Sequence, residues 1–175
     1  MCALHKITGG QNGLTLMELI IVIAILAIIA GMSISALGDY IPDYRLQSAA
    51  RELYANMHKA KMEALKKNSN VRIVFDVSGS RYAISVEGDG SGNWNDIDAN
   101  ENLEVVDLGK YENSVYFGRT IGGTNDPVTY NNDIIIFYPS GKCGPLNGNV
   151  YFYNPKNNVY KVGSLHTGFI SIKKI

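Results

Sequence analysis

Two kinds of hydrophobic pattern follow one another along the first third of the chain. Residues Leu19–Leu37 form an apolar run with no charged residue. As a helix this run is about 28 Å long at roughly 1.5 Å per residue, close to the thickness of the hydrocarbon core of a bilayer. Apolar residues then recur at steps of three and four, the pattern of a helix that buries one face. They are Leu46, Ala49, Ala50, Leu53, Met57, Ala60 and Ala64. We predict one helix over residues 14–67, transmembrane at 14–38 and amphipathic at 39–67, with a bend at Pro42 because proline removes a backbone donor.

After residue 67 the hydrophobic period changes from 3.6 to two. The segment VRIVFDV alternates apolar residues with Arg72 and Asp76, and SGSRYAISV supplies a turn and a returning strand. Further strands are predicted at Leu103–Leu108, Ser114–Gly118, Ile134–Tyr138, Val150–Tyr153, Val159–Gly163 and Phe169–Lys173. The pattern predicts an α+β protein in which the amphipathic half-helix packs on an antiparallel β-sheet head of residues 68–175.

Composition narrows the function classes. The 175 residues are 46% hydrophobic and carry 16 basic and 16 acidic side chains, so net charge favours neither nucleic acid nor an anionic membrane surface as a partner. Cys2 and Cys143 lie at opposite ends of the chain, which is not the dense spacing of a disulfide framework or a zinc site. His5, His58 and His166 are isolated from one another, and no base motif accompanies Cys143. We therefore predict a protein that is not an enzyme and has no cofactor.

The segment before the apolar run is short and polar. In MCALHKITGGQNG, Lys6 is the charged residue and His5 the other basic one, and the positive-inside rule places this segment in the cytoplasm. A secretory signal peptide has an apolar stretch of only about 7–15 residues, whereas here the run is longer and Glu18 stands at its start. A leader ending in Gly13, followed by LTLMEL and an apolar helix, resembles the class III signal of type IV pilins and type II secretion pseudopilins.

This resemblance implies how the chain is processed and where it resides. In the family, prepilin peptidase cuts after the glycine and methylates the new amino terminus, which places the cut between Gly13 and Leu14 and removes residues 1–13. The family usually has Phe where this chain has Leu14. The resemblance also implies a single-pass protein of the bacterial inner membrane with its head in the periplasm. The implied partners are other major or minor pilins or pseudopilins, the prepilin peptidase and the inner-membrane assembly platform.

Glu18 has two competing explanations. Thr15-Leu16-Met17-Glu18 is a capping box, in which Glu18 satisfies an unpaired amide at the start of the helix. A carboxylate near a bilayer is costly unless it is paired, however, so it also suggests a functional role. In the family this glutamate pairs with the freed amino group, which here belongs to Leu14 of the same or a neighbouring subunit.

Residues 49–76 refine the resemblance. The segment AARELYANMHKAKMEALKKNSNVRIVFD is similar to the GspH/FimT-type minor pilins and pseudopilins, in which an Ala-rich half-helix leads directly into a first strand. That branch implies a structural subunit of a type IV pilus or a type II secretion pseudopilus, placed in its priming or tip complex. The alternative is a membrane-anchored minor pilin that binds DNA for uptake.

An acidic segment raises the question of calcium. In EGDGSGNWNDIDANENLE, Asp89, Asn93, Asp96 and Asp98 offer the hard oxygen ligands that calcium prefers. The spacing is not that of an EF-hand, and the same residue types dominate ordinary loops. We predict a long interstrand loop without a metal, with these four residues as weak calcium candidates.

The end of the chain is basic and aromatic. Its lysines are Lys142, Lys156, Lys161, Lys173 and Lys174, and no acidic residue follows Lys142. Cations beside aromatic residues suit nucleic acid, and some family members bind DNA through a Gly-Arg-x-Arg tip. The corresponding residues here, Gly168-Phe169-Ile170-Ser171, contain no arginine, which argues against DNA. Lys173 and Lys174 are the weak DNA candidates.

Overall fold

The computed structural model describes residues 15–87, 102–119, 126–144 and 147–175. Within residues 15–87, the side chains of residues 32–37 and 39 are outside the description. The chain divides into two compact units, Met1–Asp39 and Tyr40–Ile175.

One long helix, α1, spans Leu16–Lys67. Its start is capped by Thr15, whose Oγ1 accepts from the backbone N–H of Glu18 at 3.2 Å. Its last turn carries Lys66 and Lys67, which suit the negative end of the helix dipole, and Asn68 follows with φ of 50°, the left-handed geometry common after helix ends. Over the described residues, the predicted helix is confirmed from Leu16 to Lys67, and residue 14, its predicted start, lies outside the description. The bend predicted at Pro42 stays a prediction.

The described part of the first unit exposes its large apolar residues. All large apolar side chains from Leu16 to Ile29 are 45–76% exposed. In the part of the chain that the structure describes, no helix combines the length and the hydropathy needed to cross a membrane. The predicted transmembrane segment, residues 14–38, also includes Leu14 and the side chains of residues 32–37, which are outside the described part.

The second unit contains nine described strands. They are β1 (Val71–Asp76), β2 (Arg81–Val86), β3 (Asn102–Asp107), β4 (Tyr116–Phe117), β5 (Ile134–Phe137), β6 (Cys143–Gly144), β7 (Gly148–Tyr153), β8 (Val159–Ser164) and β9 (Ile170–Lys174). One sheet has the order β3-β2-β1-β5-β6 and the other β4-β7-β8-β9, and all their pairings are antiparallel. Short 3₁₀ helices lie at Leu108–Tyr111 and Asn131–Asp133. The predicted α+β class is confirmed.

The predicted amphipathic stripe forms the centre of the core. All seven of its residues, from Leu46 to Ala64, are at most 1% exposed. They share one hydrophobic cluster with Ile73 and Phe75 of the first sheet and with Phe152 of the second. Since a fully buried Leu or Met contributes about 1.5–3 kcal/mol, this stripe is a major source of the stability of the second unit.

Two strand predictions needed correction, and one strand was missed. Leu108 begins a 3₁₀ helix instead of ending a strand, because the Asp107 carboxylate accepts from the backbone N–H of Gly109 and caps that turn. In the segment Ser114–Gly118, only Tyr116 and Phe117 form a strand. The two-residue strand β6 was not predicted, because so short an element has no hydrophobic period.

Candidate assembly site

The predicted processing site lies outside the described residues, because Gly13 and Leu14 precede Thr15. The Thr15 half of the capping box is present, with the Glu18 amide as its donor. Within the described chain the Glu18 carboxylate has no hydrogen-bond partner or ion pair. Among the described residues, the geometry therefore uses the backbone of Glu18, and not its carboxylate, for capping.

The exposed apolar part of α1 surrounds this carboxylate with hydrophobic surface. Leu16 is 76% exposed, Met17 69% and Ile28 61%, and the apolar residues occupy every side of the helix. A helix that is hydrophobic on all sides is normally buried, either in a protein core or in a membrane. This part of the chain is consequently a candidate surface for lipid or for other apolar helices.

In the second unit, one flank of the half-helix is fixed by ion pairs. Glu52 accepts from Lys110 Nζ and, at 2.7 Å, from the hydroxyl of Tyr111. Burial and this bond to Glu52 raise the pKa of Tyr111 above its ordinary range. Arg45 binds Glu112 and donates to Ser114 Oγ at 3.1 Å.

The other flank of the half-helix lies against strands β8 and β9 and leaves two open clefts. We call the first the tyrosine cleft, of about 340 Å³; it is lined by Tyr40, Asp43, Tyr44, Gln47, Tyr160 and Lys174. We call the second the histidine cleft, of about 370 Å³; it is lined by Tyr54, His58, Lys61, Thr167, Gly168, Phe169 and Ile170. The first cleft lies at the end of β9 and the second at its beginning.

The tyrosine cleft contains a carboxylate that is already engaged. Asp43 Oδ1 accepts from the side-chain amides of Asn154 and Asn158, both at 2.6 Å. Partial burial raises the pKa of Asp43, but these two bonds and the charges of Lys174 and Lys156 outweigh it and lower the pKa below its ordinary value. Asp43 therefore stays ionised and stabilises the turn between β7 and β8.

The histidine cleft depends on a close backbone approach. Lys61 Nζ donates to the carbonyl of Gly168 at 3.0 Å, and a Cβ on Gly168 would collide with the carbonyl oxygen of Gly141. Gly168 also has φ of 83°, which favours glycine. Tyr54 and His58 meet edge to face with their ring centroids 4.6 Å apart.

The calcium candidates Asp89, Asn93, Asp96 and Asp98 all lie outside the described residues. Among the described residues, no group of three or more His, Cys, Asp or Glu side chains is placed to hold a metal ion.

The structure separates the two DNA candidates and groups one of them with a different lysine. Lys173 is directly opposite Lys161 in the β8–β9 pair, and Lys161 is directly opposite Tyr151. Lys174 lines the tyrosine cleft and, because side chains alternate along a strand, lies on the other face of the sheet. Arg119 stacks over the Tyr151 ring with its guanidinium 4.0 Å from the centroid. The outer face of the second sheet thus carries a short basic row that sequence spacing did not reveal.

Cys143 is a structural residue. It is fully buried, and its Sγ donates to the carbonyl of Leu165 at 2.8 Å. Its neighbour Ser164 also bonds the hydroxyl of Tyr130 at 2.8 Å, and burial raises the pKa of Tyr130 to about 12. The network joins β6 to the β8–β9 hairpin.

The clefts were not predicted from the sequence. Tyr40 and Tyr44 are 73% and 72% exposed and Phe169 is 62% exposed. The available signal was the spacing of Tyr40, Tyr44 and Gln47, followed by Tyr54 and His58, along one line of a helix. Nothing in the sequence indicated that this line faces β9.

Comparisons with known proteins agree with this geometry. Residues 49–165 match the family described as Type II transport protein GspH, and residues 9–34 match the Prokaryotic N-terminal methylation motif. No curated protein matches the sequence significantly.

Similar solved structures are pilin-like. The minor pseudopilin EpsH from the type 2 secretion system of Vibrio cholerae is 10% identical, with 74% of this chain and 97% of that chain covered and a TM-score of 0.54. The type IV minor pilin FimU of Pseudomonas aeruginosa, strain PAO1, is 19% identical, with 75% and 90% covered and a TM-score of 0.48. The likeness to EpsH shows a shared fold. Because the family match covers residues 49–165, more than half of the chain, the chain belongs to the GspH family of type II transport proteins.

Proposed function

We propose that this chain is a minor pseudopilin or minor pilin, a structural subunit that enters the filament of a type II secretion system or a type IV pilus. The observation that carries the proposal is the presence of a methylation motif and a GspH match in one chain. The apolar helix exposed on every side supports it, because such a helix needs an apolar environment outside its own chain. Its role is assembly rather than catalysis, in the priming or tip complex of the filament.

The proposed mechanism begins with a precursor in the bacterial inner membrane. Its leader, residues 1–13, faces the cytoplasm and its head, residues 68–175, faces the periplasm. Prepilin peptidase cuts between Gly13 and Leu14 and methylates the amino group of Leu14. The assembly platform then passes the helix from lipid into a bundle of helices from other pilins or pseudopilins.

Glu18 gives this transfer its specificity. Lipid and a helix bundle are both apolar, so moving the helix between them gains little hydrophobic free energy. An unpaired carboxylate is costly in such an environment, and the amino group of Leu14 in the same or a neighbouring subunit neutralises it. The available carboxylate of Glu18 and its capped backbone support this division of roles.

Cleavage is tested by coexpressing the full chain with a prepilin peptidase and measuring its intact mass. We expect the mass of residues 14–175 plus one methyl group. Gly13→Val blocks the cut because the peptidase requires the small residue, whereas Gly10→Val, in the same leader, is processed normally. An unshortened wild-type chain in the presence of an active peptidase would refute the proposal.

A second candidate function is DNA binding by the basic row on the outer sheet face. The specific observation in its favour is the direct pairing of Lys161 with Lys173 beside Tyr151. Two phosphate contacts give a log–log salt slope of only about −2, so we expect weak binding that disappears by about 150 mM salt. A gel-shift titration of Lys161→Ala with Lys173→Ala, against Lys142→Ala with Lys156→Ala, distinguishes the two functions. Micromolar binding at that salt concentration, lost only in the first pair, would favour DNA uptake.

A further inference from the structure

Strand β9 has an open edge. It pairs with β8 and lies at the end of its sheet. Ile175 N donates to Val159 O and Leu165 N donates to Phe169 O, both at 2.9 Å. The odd-numbered residues of this strand therefore face β8.

In an antiparallel pair, alternate residues direct their backbone groups towards and away from the neighbour. Ile170, Ile172 and Lys174 consequently direct their N–H and C=O groups to the open side. Within the described chain, these groups have no hydrogen-bond partner.

The two clefts lie at the two ends of this edge. Lys174 lines the tyrosine cleft and Ile170 the histidine cleft, so they are about 14 Å apart along a strand at about 3.4 Å per residue. Residues four apart in an added strand point to the same face. An extended segment beside β9 would therefore place two of its side chains, four residues apart, in the two clefts.

The clefts suit single side chains. Volumes of about 340 and 370 Å³ are at the low end of the roughly 300–1,000 Å³ of small-ligand pockets, and both clefts are open to solvent. Their exposed walls are aromatic, since Tyr40 and Tyr44 belong to one and Phe169 to the other. Apolar or aromatic side chains of a peptide match these walls best.

The charge along the edge selects the partner. Lys61, Lys173 and Lys174 lie along it and outnumber the carboxylate of Asp43, which stays ionised while it accepts from two asparagine amides. Lysines on an edge strand oppose pairing with neutral or basic strands. The charge of this edge therefore favours pairing with an acidic strand.

We propose that an extended, acidic segment of another protein chain adds to β9 as a fifth strand of the second sheet. Its backbone bonds Ile170, Ile172 and Lys174, and its apolar side chains, four residues apart, occupy the tyrosine and histidine clefts. This is the strand-addition mode of peptide recognition, in which main-chain bonds give affinity and pockets give specificity. The proposal concerns the second unit and does not depend on how the N-terminal helix assembles.

The two decisive variants both change Lys174. Lys174→Pro removes both the charge and the outward N–H without touching a bond to β8, since proline has no backbone donor. Lys174→Gln removes only the charge. Tyr44→Ala and Phe169→Ala shorten one exposed wall of each cleft and serve as independent variants if the proline disturbs the strand.

The experiment selects binders to immobilised full-length protein from a displayed random library of peptides about ten residues long, the upper end of strand lengths. We expect acidic peptides, free of proline at their centre, with two apolar residues four apart. Lys174→Pro should weaken a selected peptide by about tenfold or more, as expected when a backbone bond is lost and a ring obstructs the edge. Lys174→Gln should weaken it by no more than about fivefold, the range of an exposed ion pair. Each cleft variant should weaken it by about threefold to tenfold.

Four outcomes would overturn the proposal. The first is the absence of any enriched peptide, and the second is equal binding of a selected peptide by Lys174→Pro and wild type. The third is an equal loss of binding in Lys174→Pro and Lys174→Gln, together with competition by a thymidine oligonucleotide. This third outcome would indicate a surface that binds polyanions. The fourth is a dimer of the full-length protein that Lys174→Pro dissociates, which would assign the edge to a second copy of this chain.

Discussion

Two parts of one helix both carry large apolar residues, but those residues lie in opposite surroundings. The large apolar side chains between Leu16 and Ile29 are 45–76% exposed, while the stripe from Leu46 to Ala64 is at most 1% exposed. The first part is apolar on every side, and the second is apolar along one face. A striped helix can be covered by its own sheets, whereas an all-round apolar helix must be covered from outside the chain. Stability of the fold therefore depends on the second part, whereas the proposed assembly depends on the first.

The largest expected effect is a difference in stability between two matched Leu→Ala changes, one in each part of the helix. Leu53→Ala should lower the free energy of unfolding by about 2–5 kcal/mol, because it leaves a cavity in a fully buried site. The matched change Leu26→Ala, at a residue 57% exposed, should change it by less than about 0.5 kcal/mol. Denaturant unfolding followed by near-UV circular dichroism measures both. An equal loss of unfolding free energy in the two variants would contradict the different roles of the two parts of the helix.

The stripe was predictable because its residues repeat with the period of a helix, and each of its seven positions is buried as expected. Strands such as β1 and β2 were predictable from alternation and from the turn between them. The strand β6 and the 3₁₀ helix at Leu108–Tyr111 were not, because one is two residues long and the other depends on a local cap by Asp107.

The candidate surfaces were less predictable than the fold. Gly13, Leu14 and Glu18 could be named because they form a contiguous motif. Each cleft combines helix residues, Tyr44 in one and Tyr54 in the other, with residues more than a hundred positions later. Periodicity within one element does not indicate which distant strand that element faces. The pairing of Lys161 with Lys173 likewise depends on strand register, which the hairpin turn sets.

A smaller effect is expected at the ion pairs beside the stripe. Glu52→Ala removes the acceptor for both Lys110 and Tyr111 and should cost about 1–3 kcal/mol, the range for bonds to a charged group. Glu63→Ala removes only long pairs within its own helix, with Lys66 at 4.0 Å and Lys67 at 3.8 Å, and should cost less than about 0.5 kcal/mol. The same unfolding measurement compares them, and an equal cost would show that the Glu52 contacts do not fix the helix.

A weaker effect is expected from pH. The hydroxyl of Ser78, the Gly79 amide and Arg81 all bind Asp76 and lower its pKa to about 2. Because the folded pKa lies below the unfolded value of about 3.9, this stabilisation is present above about pH 4 and is lost as the pH falls towards 2. Asp76→Asn should remove about 1 kcal/mol of it at neutral pH, since solvent screens part of the effect.

The control for this change is the pH dependence of the free energy of unfolding below about pH 4. Wild type and Asp76→Asn should converge in stability between about pH 4 and 2. A constant difference between them across that range would show that the loss does not come from titration of Asp76.

The most direct test of the central claim is incorporation of Glu18→Ala into filaments, measured against Thr15→Val in the same cells. The account assigns pairing to the carboxylate of Glu18 and capping to the hydroxyl of Thr15, which accepts from the Glu18 amide at 3.2 Å. It predicts that both variants lose their first 13 residues, that Glu18→Ala is absent from sheared filaments or from complexes with other pilins, and that Thr15→Val is present at nearly the wild-type level. Normal incorporation of Glu18→Ala would contradict it, and if Thr15→Val failed in the same experiment, the role of this motif would be helix capping.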